Sequence, residues 1–246
     1  MLIFIQNFIQ IISKRNEKMK LNTLINVKAV AVCSVLALSA CSSMNQQKAD
    51  PVSPDGLNLV KNTRSTIAYQ KEGVNFTDYD KIIISKSTVA FKKNWKRDYN
   101  NDQPGLSTRL RDKDVIKIKN DMAQLFDETF SQEMAKDAKF KVVNEASTGT
   151  LLLKPAIIDL DVNAPDIMTS VNVKSYVQDA GEATLFIEIY DAVSGEILAR
   201  VVDAEEARGR EQLQWANRVS NRQDAKFIIK KWAKALRTKF DEAQAK

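Results

Sequence analysis

A stripe of mostly apolar side chains between residues 112 and 137 constrains the fold of this chain more than any other feature of its sequence. Its members recur at spacings of three and four, which is typical of one face of an α-helix packed on a larger surface. Asp112 and Asp114 suit the first turn of such a helix through capping and the helix dipole. A second amphipathic helix is predicted over residues 223–243. The first stripe consists of Val115, Ile118, Met122, Leu125, Phe126, Thr129, Phe130 and Met134, and the second of Ala225, Ile228, Trp232, Ala235, Leu236 and Phe240.

Three strands are predicted before and after the first helix. A β-branched run predicts a buried strand over residues 81–91, and further strands are predicted over residues 140–144 and 151–162. The apolar positions of the last strand change from odd to even numbers along its length. A bulge or bend at Pro155 would explain this change of phase.

Alternating apolar residues over 183–190, a turn at residues 193–195 and a return over 197–203 predict a β-hairpin. Residues 57–80 are predicted to be irregular and residues 92–105 to be a loop. Residues 163–181 are predicted to form a loop, and a short strand near residues 171–177 stays open.

The order of these elements indicates the fold class. Strands joined by hairpins, with helices kept separate from them, are typical of α+β proteins. We therefore expect two layers: a mainly antiparallel sheet of about five strands, with the two long helices packed on one face.

A short apolar stretch near the N-terminus, residues 29–37, follows the positive charges of Lys20 and Lys28. It is too short to cross a bilayer as a helix and has the length of the apolar region of a signal peptide. The next four residues are similar to a lipobox, the cleavage signature of bacterial lipoprotein precursors: Leu38, Ser39, Ala40 and Cys41. We therefore expect residues 1–40 to be removed and Cys41 to receive a diacylglycerol. A plain secretory signal with a chance cysteine is the alternative.

Two interpretations of residues 1–18 stay open: translation starts at Met19, or the signal peptide has a long first region.

After cleavage, residues 41–56 are predicted to be a polar, lipidated, flexible tether and residues 57–246 a single domain. The usual bacterial pathway attaches three acyl chains, and each buried methylene contributes about 0.8 kcal/mol, so the anchor would be durable. Ser42 stands where an aspartate would act as an inner-membrane retention signal. We therefore expect anchoring in the outer membrane, with the domain facing the periplasm.

Composition excludes several function classes. Five basic residues and one acidic residue among the first 40 account for +4 of the net charge of +6, which leaves +2 on the mature chain. So small a charge lacks the broad basic surface that nucleic-acid binding requires. The sequence has no histidine, the commonest general base and metal ligand. Cys33 leaves with the signal and lipid occupies Cys41, so no disulfide is expected. We predict no enzymatic activity, no metal and no cofactor.

Several collinear segments carry a family resemblance across about residues 55–240. They are residues 76–81 (FTDYDK), Trp95, residues 104–107 (PGLS), residues 181–184 (GEAT), Glu188, Asp191, residues 194–196 (SGE), Asp203, Trp215, Phe227 and residues 232–233 (WA). Together they resemble a bacterial lipoprotein family, domain of unknown function 3313. The sequence departs from the family over residues 100–111 and 166–179. The resemblance implies an envelope lipoprotein and brings no activity, because none is established for the family.

Asp159, Asp161 and Asn163 imitate the start of a calcium-binding loop. Position six of such a loop should be glycine and is Ala164, and position twelve should be glutamate and is Ser170. A solvated strand face is therefore favoured over a calcium site.

Basic and aromatic side chains alternate in a candidate surface patch, which consists of Lys92, Lys93, Trp95, Lys96 and Arg97. Such a patch could bind anionic lipid headgroups, glycan or single-stranded nucleic acid. The favoured alternative is a loop whose aromatic side chains pack on the sheet while the lysines stay hydrated.

Four carboxylates lie in and around the predicted hairpin: Glu182, Glu188, Asp191 and Asp203. A pair on one face could perform acid–base chemistry. The favoured interpretation is structural: Asp191 and Glu196 shape the turn, and Glu188 is solvated or paired.

Three functional hypotheses follow. The first is a non-enzymatic accessory or binding module of the cell envelope, anchored by lipid and paired with an envelope protein. The second is a periplasmic domain that binds lipid or a small ligand, which predicts a deep apolar pocket between helices and sheet. The third is a carboxylate-based hydrolase, which predicts two carboxylates about 5–10 Å apart across a cleft.

Overall fold

The structure is a computed structural model, and it describes residues 49–103, 105–163, 165, 175–177, 181–206, 214–216 and 218–245. The predicted signal peptide and the predicted lipobox, with Cys41, lie outside the described residues. The residues that the structure describes belong to one compact unit.

The described part of the chain contains ten strands and three α-helices. The strands are β1 (Asn58–Asn62), β2 (Thr66–Gln70), β3 (Lys81–Ile84), β4 (Thr88–Phe91), β5 (Lys141–Val142), β6 (Thr150–Val162), β7 (Ser175–Val177), β8 (Gly181–Asp191), β9 (Ile197–Glu206) and β10 (Gln214–Ala216). The helices are α1 (Trp95–Asn101), α2 (Asp112–Ala135) and α3 (Arg218–Ala243).

Eight of the strands form one sheet with the order β1-β2-β9-β8-β6-β3-β5, and β4 also pairs with β6. The pairs β3–β5, β3–β6 and β4–β6 are parallel, whereas the other pairs of this sheet are antiparallel. β7 and β10 form a separate antiparallel pair. The predicted α+β class and mainly antiparallel sheet are confirmed, but the expected number of about five strands is wrong.

The missing strands have a physical explanation. β1 and β2 lie in residues 57–80, which were predicted to be irregular. These two strands form one side of the sheet, and none of their residues is fully buried. Their sequences therefore lack the alternation of a half-buried strand. The predicted strand over residues 81–91 is in fact β3 and β4, separated by a break at residues 85–87.

Residues 92–105, predicted to be a loop, contain helix α1. Asn94 begins this helix with a left-handed backbone (φ 66°), and within α1 only Trp95 is buried. One buried residue in a seven-residue helix leaves no apolar periodicity to detect.

The two long helices and the hairpin are confirmed. α2 buries Leu125, Phe126, Thr129, Phe130 and Met134, and α3 includes the predicted residues 223–243. β8 and β9 pair as the predicted hairpin around residues 192–196.

The change of phase in β6 occurs at Asp159 and not at Pro155. Pairing with β8 is regular through Pro155 and shifts between Ile158 and Asp161, and Asp159 has a left-handed backbone (φ 52°). The backbone of Leu153 faces β3, since its carbonyl accepts from the amide of Ser85 at 2.9 Å. The backbone of Pro155 faces the same way, into the break between β3 and β4, so its missing N–H leaves no strand partner unsatisfied.

One face of the sheet packs on α2 and α3. Its core members from β6 and β8 are Leu151, Leu153, Ile157, Leu185, Ile187 and Ile189. They contact buried side chains of both helices, among them Phe126, Phe130, Ile229 and Trp232. We call the opposite side of the sheet the outer face. No described helix is both long and apolar enough to cross a membrane.

Candidate functional site

The outer face carries a row of polar side chains across four neighbouring strands. The strand register places Lys154 beside Glu188, Glu188 beside Arg200, and Arg200 beside Tyr69. Side chains at paired positions share a face of the sheet. These four residues therefore form a continuous line from β6 to β2.

Arg200 occupies the centre of this row and is only 8% exposed. Its guanidinium donates to Glu188 Oε1 from Nε at 3.2 Å and from Nη2 at 2.8 Å. It also donates to both carboxylate oxygens of Asp55, with Nη1 to Oδ1 at 3.0 Å and a second, shorter bond from Nη2. Two parallel hydrogen bonds from a planar guanidinium to one carboxylate are among the strong, charge-assisted hydrogen bonds of proteins. One arginine thus joins the hairpin to the N-terminal segment.

Tyr190 completes what we call the Arg200 cluster: Asp55, Glu188, Tyr190 and Arg200. The Tyr190 hydroxyl donates to Glu188 Oε2 at 2.7 Å. Burial, followed by the hydrogen bond and negative charge of Glu188, raises the pKa of Tyr190. Lys154 Nζ lies 4.0 Å from the centre of the Tyr190 ring, which is a cation–π distance. Both carboxylate oxygens of Glu188 thus accept hydrogen bonds from within the cluster, so the cluster is suited to holding the hairpin and the N-terminal segment together.

Burial alone would raise the pKa of Asp55. Hydrogen bonds from Arg200 and Ser53, together with the positive charge of Arg200, outweigh the effect of burial, so the pKa of Asp55 is lowered from its ordinary value. Ser53 Oγ donates to Asp55 Oδ1 at 2.5 Å and accepts from the amide of Leu57 at 3.0 Å. Asp55 is thus held as a carboxylate in a turn that also fixes its neighbours.

The N-terminal segment, residues 51–56, lies beside β1 at the edge of the sheet. Val52 pairs with Asn58, and the Leu59 amide donates to the Pro51 carbonyl at 2.8 Å. The Tyr69 hydroxyl donates to the carbonyl of Asp50 at 3.1 Å. The prediction placed residues up to 56 in a flexible tether, whereas the structure packs residues 51–56 on the sheet.

Sequence reasoning did not identify this cluster. The turn at residues 192–196 sets the register of the hairpin, and that register brings Glu188 opposite Arg200. The pairing of Glu188 with Arg200 could therefore have been predicted from the sequence. Asp55 gave no such signal, because it lies far from both partners in the chain and in a segment without periodicity.

The residues of the candidate basic patch lie in different environments. Trp95 is 5% exposed, stacks on Phe91 with ring centres 4.2 Å apart, and donates from Nε1 to the Val162 carbonyl at 3.2 Å. Lys96 pairs with Asp112 at 2.6 Å, and Arg97 pairs with its neighbour Asp98 at 2.8 Å. Lys93 is exposed.

Lys92 belongs to a charged group beside the bulge of β6. Its ammonium lies 2.9 Å from Asp161 and 2.7 Å from Glu182, and these two bonds are the main reason that the pKa of Lys92 is raised. Asp159 lies nearby, where burial and then the charge of Glu182 raise its pKa. Among the residues that the structure describes, no group of three carboxylate, cysteine or histidine side chains is arranged to hold a metal ion.

The remaining carboxylates of the hairpin have structural partners. Asp191 accepts from the amides of Val193 at 2.9 Å and Ser194 at 2.7 Å, which shapes the turn. These bonds, the Ser194 amide first, lower the pKa of Asp191 against the effect of burial. Asp203 accepts from Thr66 Oγ1 at 2.5 Å.

A groove of about 500 Å³ lies between α2 and the segment that follows β3. Six of the seven residues that line it are polar or charged: Ile84, Ser85, Lys86, Gln124, Asp127, Glu128 and Ser131. The amide of Ser87 donates to Asp127 at 2.9 Å. This lining differs from the deep apolar pocket that a lipid-binding domain would need.

The chain is similar to solved structures at low identity. A PelC dodecamer from Paraburkholderia phytofirmans is 11% identical, with a TM-score of 0.31, over 70% of this chain and 97% of that one. A Xanthomonas campestris protein of family DUF330 is 6% identical, with a TM-score of 0.38, over 71% of this chain and 90% of that one. A PDZ domain protein from Parabacteroides distasonis is 12% identical, with a TM-score of 0.32, over 68% of this chain and 35% of that one.

None of the curated proteins matches the sequence. The family model DUF3313, described as a protein of unknown function, matches residues 52–236. This match begins at the segment that pairs with β1 and continues into α3, so it includes all four members of the Arg200 cluster. The chain therefore belongs to the DUF3313 family.

Proposed function

We propose that this protein is a bacterial lipoprotein, anchored in the outer membrane through lipid on Cys41, whose domain acts in the periplasm as a non-enzymatic binding module of the cell envelope. The observation that carries the proposal is the sequence Leu38-Ser39-Ala40-Cys41 directly after a signal-like apolar stretch. The small residues at 39 and 40 suit a peptidase cleft, and the thiol at 41 is the group that accepts the lipid.

The Arg200 cluster supports this arrangement. A lipid anchor restrains one end of the chain, and the first described residues after it are bonded to the centre of the sheet through Asp55. Because Arg200 also bonds Glu188 on β8, a load on the anchor would be shared by β8 and β9. The domain would therefore stay folded up to its tether.

A non-enzymatic role is supported by the chemistry of the titratable side chains. The sequence contains no histidine. Glu188 is bonded by Arg200 and Tyr190, and Asp191 is bonded by the amides of its own turn. These two of the four hairpin carboxylates that the hydrolase hypothesis considers thus already have structural partners.

The test is a pull-down of the full-length protein from crosslinked envelopes, analysed by mass spectrometry. Cys41→Ala removes the lipid site, and Cys33→Ala is the matched control because Cys33 leaves with the signal peptide. We expect one envelope protein to co-purify with the natural chain and with Cys33→Ala, and to be lost with Cys41→Ala. Absence of any partner from the natural chain would contradict a role as an envelope binding module.

Outer-membrane sorting is tested separately. Ser42 follows the lipidated cysteine, and Ser42→Asp would introduce the retention signal of inner-membrane lipoproteins. We expect the natural chain in the outer-membrane fraction of a density gradient and Ser42→Asp in the inner-membrane fraction. Ser42→Thr is the conservative control and should leave the distribution unchanged. If the natural chain sediments with the inner membrane, the proposed location is wrong.

A further inference from the structure

The N-terminal segment and the β1–β2 hairpin expose an apolar and basic surface. Val52 is 52% exposed and Val60 is 59% exposed. Lys61 and Arg64 are also exposed, and neither has an ion-pair partner among the residues that the structure describes. We call these four residues the β1 edge.

The β1–β2 hairpin contains no negative charge of its own to offset these cations, and the exposed Asp50 lies two residues before Val52. From residue 56 to residue 71 the chain has three basic residues and no acidic one. Asp55, just before this stretch, is bonded to Arg200, a cation that it shares with Glu188. The third basic residue, Lys71, pairs with Glu196. The net positive charge of the hairpin therefore rests on Lys61 and Arg64.

The local backbone explains why Val60 is exposed. The register between β1 and β2 shifts between Leu59 and Lys61, so Val60 is the extra residue of a bulge. β1 is also the last strand on its side of the sheet. Bulges and lysines on such strands hinder pairing with another chain. This is the competing explanation of the surface.

The position of the lipid site favours a membrane as the partner. Residues 42–50 separate Cys41 from the packed segment that begins at Pro51, and nine extended residues span at most about 32 Å. That segment runs antiparallel to β1, with Val52 beside Asn58. The β1 edge is therefore the part of the sheet joined most directly to the anchor.

We propose that the β1 edge faces the bilayer in which Cys41 is anchored and contacts its anionic phospholipid headgroups. The inference rests on the proposed lipidation and adds the orientation of the domain. Exposed valines beside cations that have no ion-pair partner in the described part of the chain match a headgroup layer, where apolar side chains enter the interface and basic ones approach phosphate. A surface of four residues is too small to hold the protein on the membrane by itself. Its role is to orient a domain that the lipid on Cys41 already anchors.

The chain offers a matched control at the far side of the sheet. Val142 is 41% exposed and follows Lys141 on β5, the strand at the opposite end of the sheet order. Six strand spacings separate β1 from β5 along that order, or about 29 Å. Val142 thus has the same chemistry as Val60 without the proximity to the anchor.

The experiment uses the full lipidated protein, in which Cys41 is blocked, so that Val60→Cys and Val142→Cys each present one reactive thiol. Each variant receives an environment-sensitive fluorophore and is reconstituted in vesicles of phosphatidylethanolamine and phosphatidylglycerol with a nitroxide on some headgroups. We expect quenching and a blue shift at position 60 and neither at position 142. Adding Lys61→Glu and Arg64→Glu should remove most of the quenching at position 60.

Two results would overturn the inference. Equal quenching at the two positions would show no preferred orientation, and a blue shift at position 60 that is lost when the protein is diluted at constant lipid concentration would indicate pairing with a second chain. The intact mass is measured before reconstitution. Absence of lipid at that stage contradicts the proposed function, and the inference falls with it, whereas lipid with equal quenching contradicts the inference alone.

Discussion

Arg200 and Asp55 lie 145 positions apart in the sequence and form a two-point ion pair on the outer face of the sheet. Their side chains are 10% and 21% exposed. The pair joins the first folded turn of the domain to β9, while the bond from Arg200 to Glu188 extends the connection to β8.

Removing Arg200 should strongly destabilise the domain. Arg200→Leu leaves the carboxylates of Asp55 and Glu188 poorly exposed and without their cation, and breaking a buried ion pair in this way costs about 3–5 kcal/mol. The free energy of unfolding, measured in urea by circular dichroism, should fall by about that amount. Lys71→Ala is the control, because its pair with Glu196 is solvent-exposed and should contribute about 0–1 kcal/mol. Equal, small effects of the two substitutions would show that the cluster does not hold the domain together.

Asp55 should make stability depend on pH in the acid range. Its pKa is lower in the folded state than in the unfolded chain, where an aspartate titrates near 3.9. Its contribution is therefore fully present above about pH 4 and is lost as pH falls through the lower, folded pKa. Unfolding free energies measured from pH 3 to pH 7 should decline less steeply below about pH 4 in Asp55→Asn than in the natural protein. Parallel declines would contradict the assigned ion pair.

Asp159 should be replaceable with a gain in stability. It combines a left-handed backbone with a partly buried carboxyl whose pKa is raised. Asparagine tolerates that backbone well and carries no charge, so we expect Asp159→Asn to raise the unfolding free energy by about 1 kcal/mol at pH 7. The raised pKa means that the carboxylate costs stability at high pH and that this cost disappears once the group is protonated. The gain should thus shrink toward pH 4, and a loss of stability at pH 7 would indicate that the carboxylate is needed.

Two glycines with positive φ should respond differently to alanine. Gly181 (φ 123°) pairs with Val162, and a methyl group there would overlap the carbonyl oxygen of Asp161. Gly56 (φ 82°) has no atom within 4 Å of that position. We expect Gly56→Ala to cost about 1–2 kcal/mol from backbone strain alone, and Gly181→Ala to cost clearly more in thermal and urea unfolding. Equal costs would contradict the close approach of β8 to the bulge of β6.

The sequence predicted the elements with strong periodicity and missed those without it. The stripe on α2 and the alternation in β8 arise because each element buries one face, and both elements were predicted within a few residues of their bounds. β1, β2 and α1 bury little, so their sequences carry no period that propensity rules can read. The position of the bulge was wrong because Pro155 is the more conspicuous residue, whereas the backbone turns at Asp159.

The same reasoning explains what could be predicted of the candidate sites. The favoured structural roles of Asp191 and Glu188 depend on the local hairpin and agree with their bonds in the structure. The ion pair of Asp55 with Arg200 joins segments far apart in the sequence, and only the assembled sheet brings them together. Burial of Trp95 was among the favoured interpretations of the basic patch, although α1 and its stacking on Phe91 were not foreseen.

The most direct test of the account is the intact mass of the protein purified from bacterial membranes. We predict a polypeptide that begins at Cys41 and carries a diacylglycerol and an additional acyl chain on that residue. The membrane fraction should contain the natural chain and Cys33→Ala, while Cys41→Ala should accumulate as an uncleaved precursor. A natural chain that is cleaved elsewhere, or that begins at Cys41 without lipid and remains in the soluble fraction, would contradict the claim that this is a membrane-anchored lipoprotein.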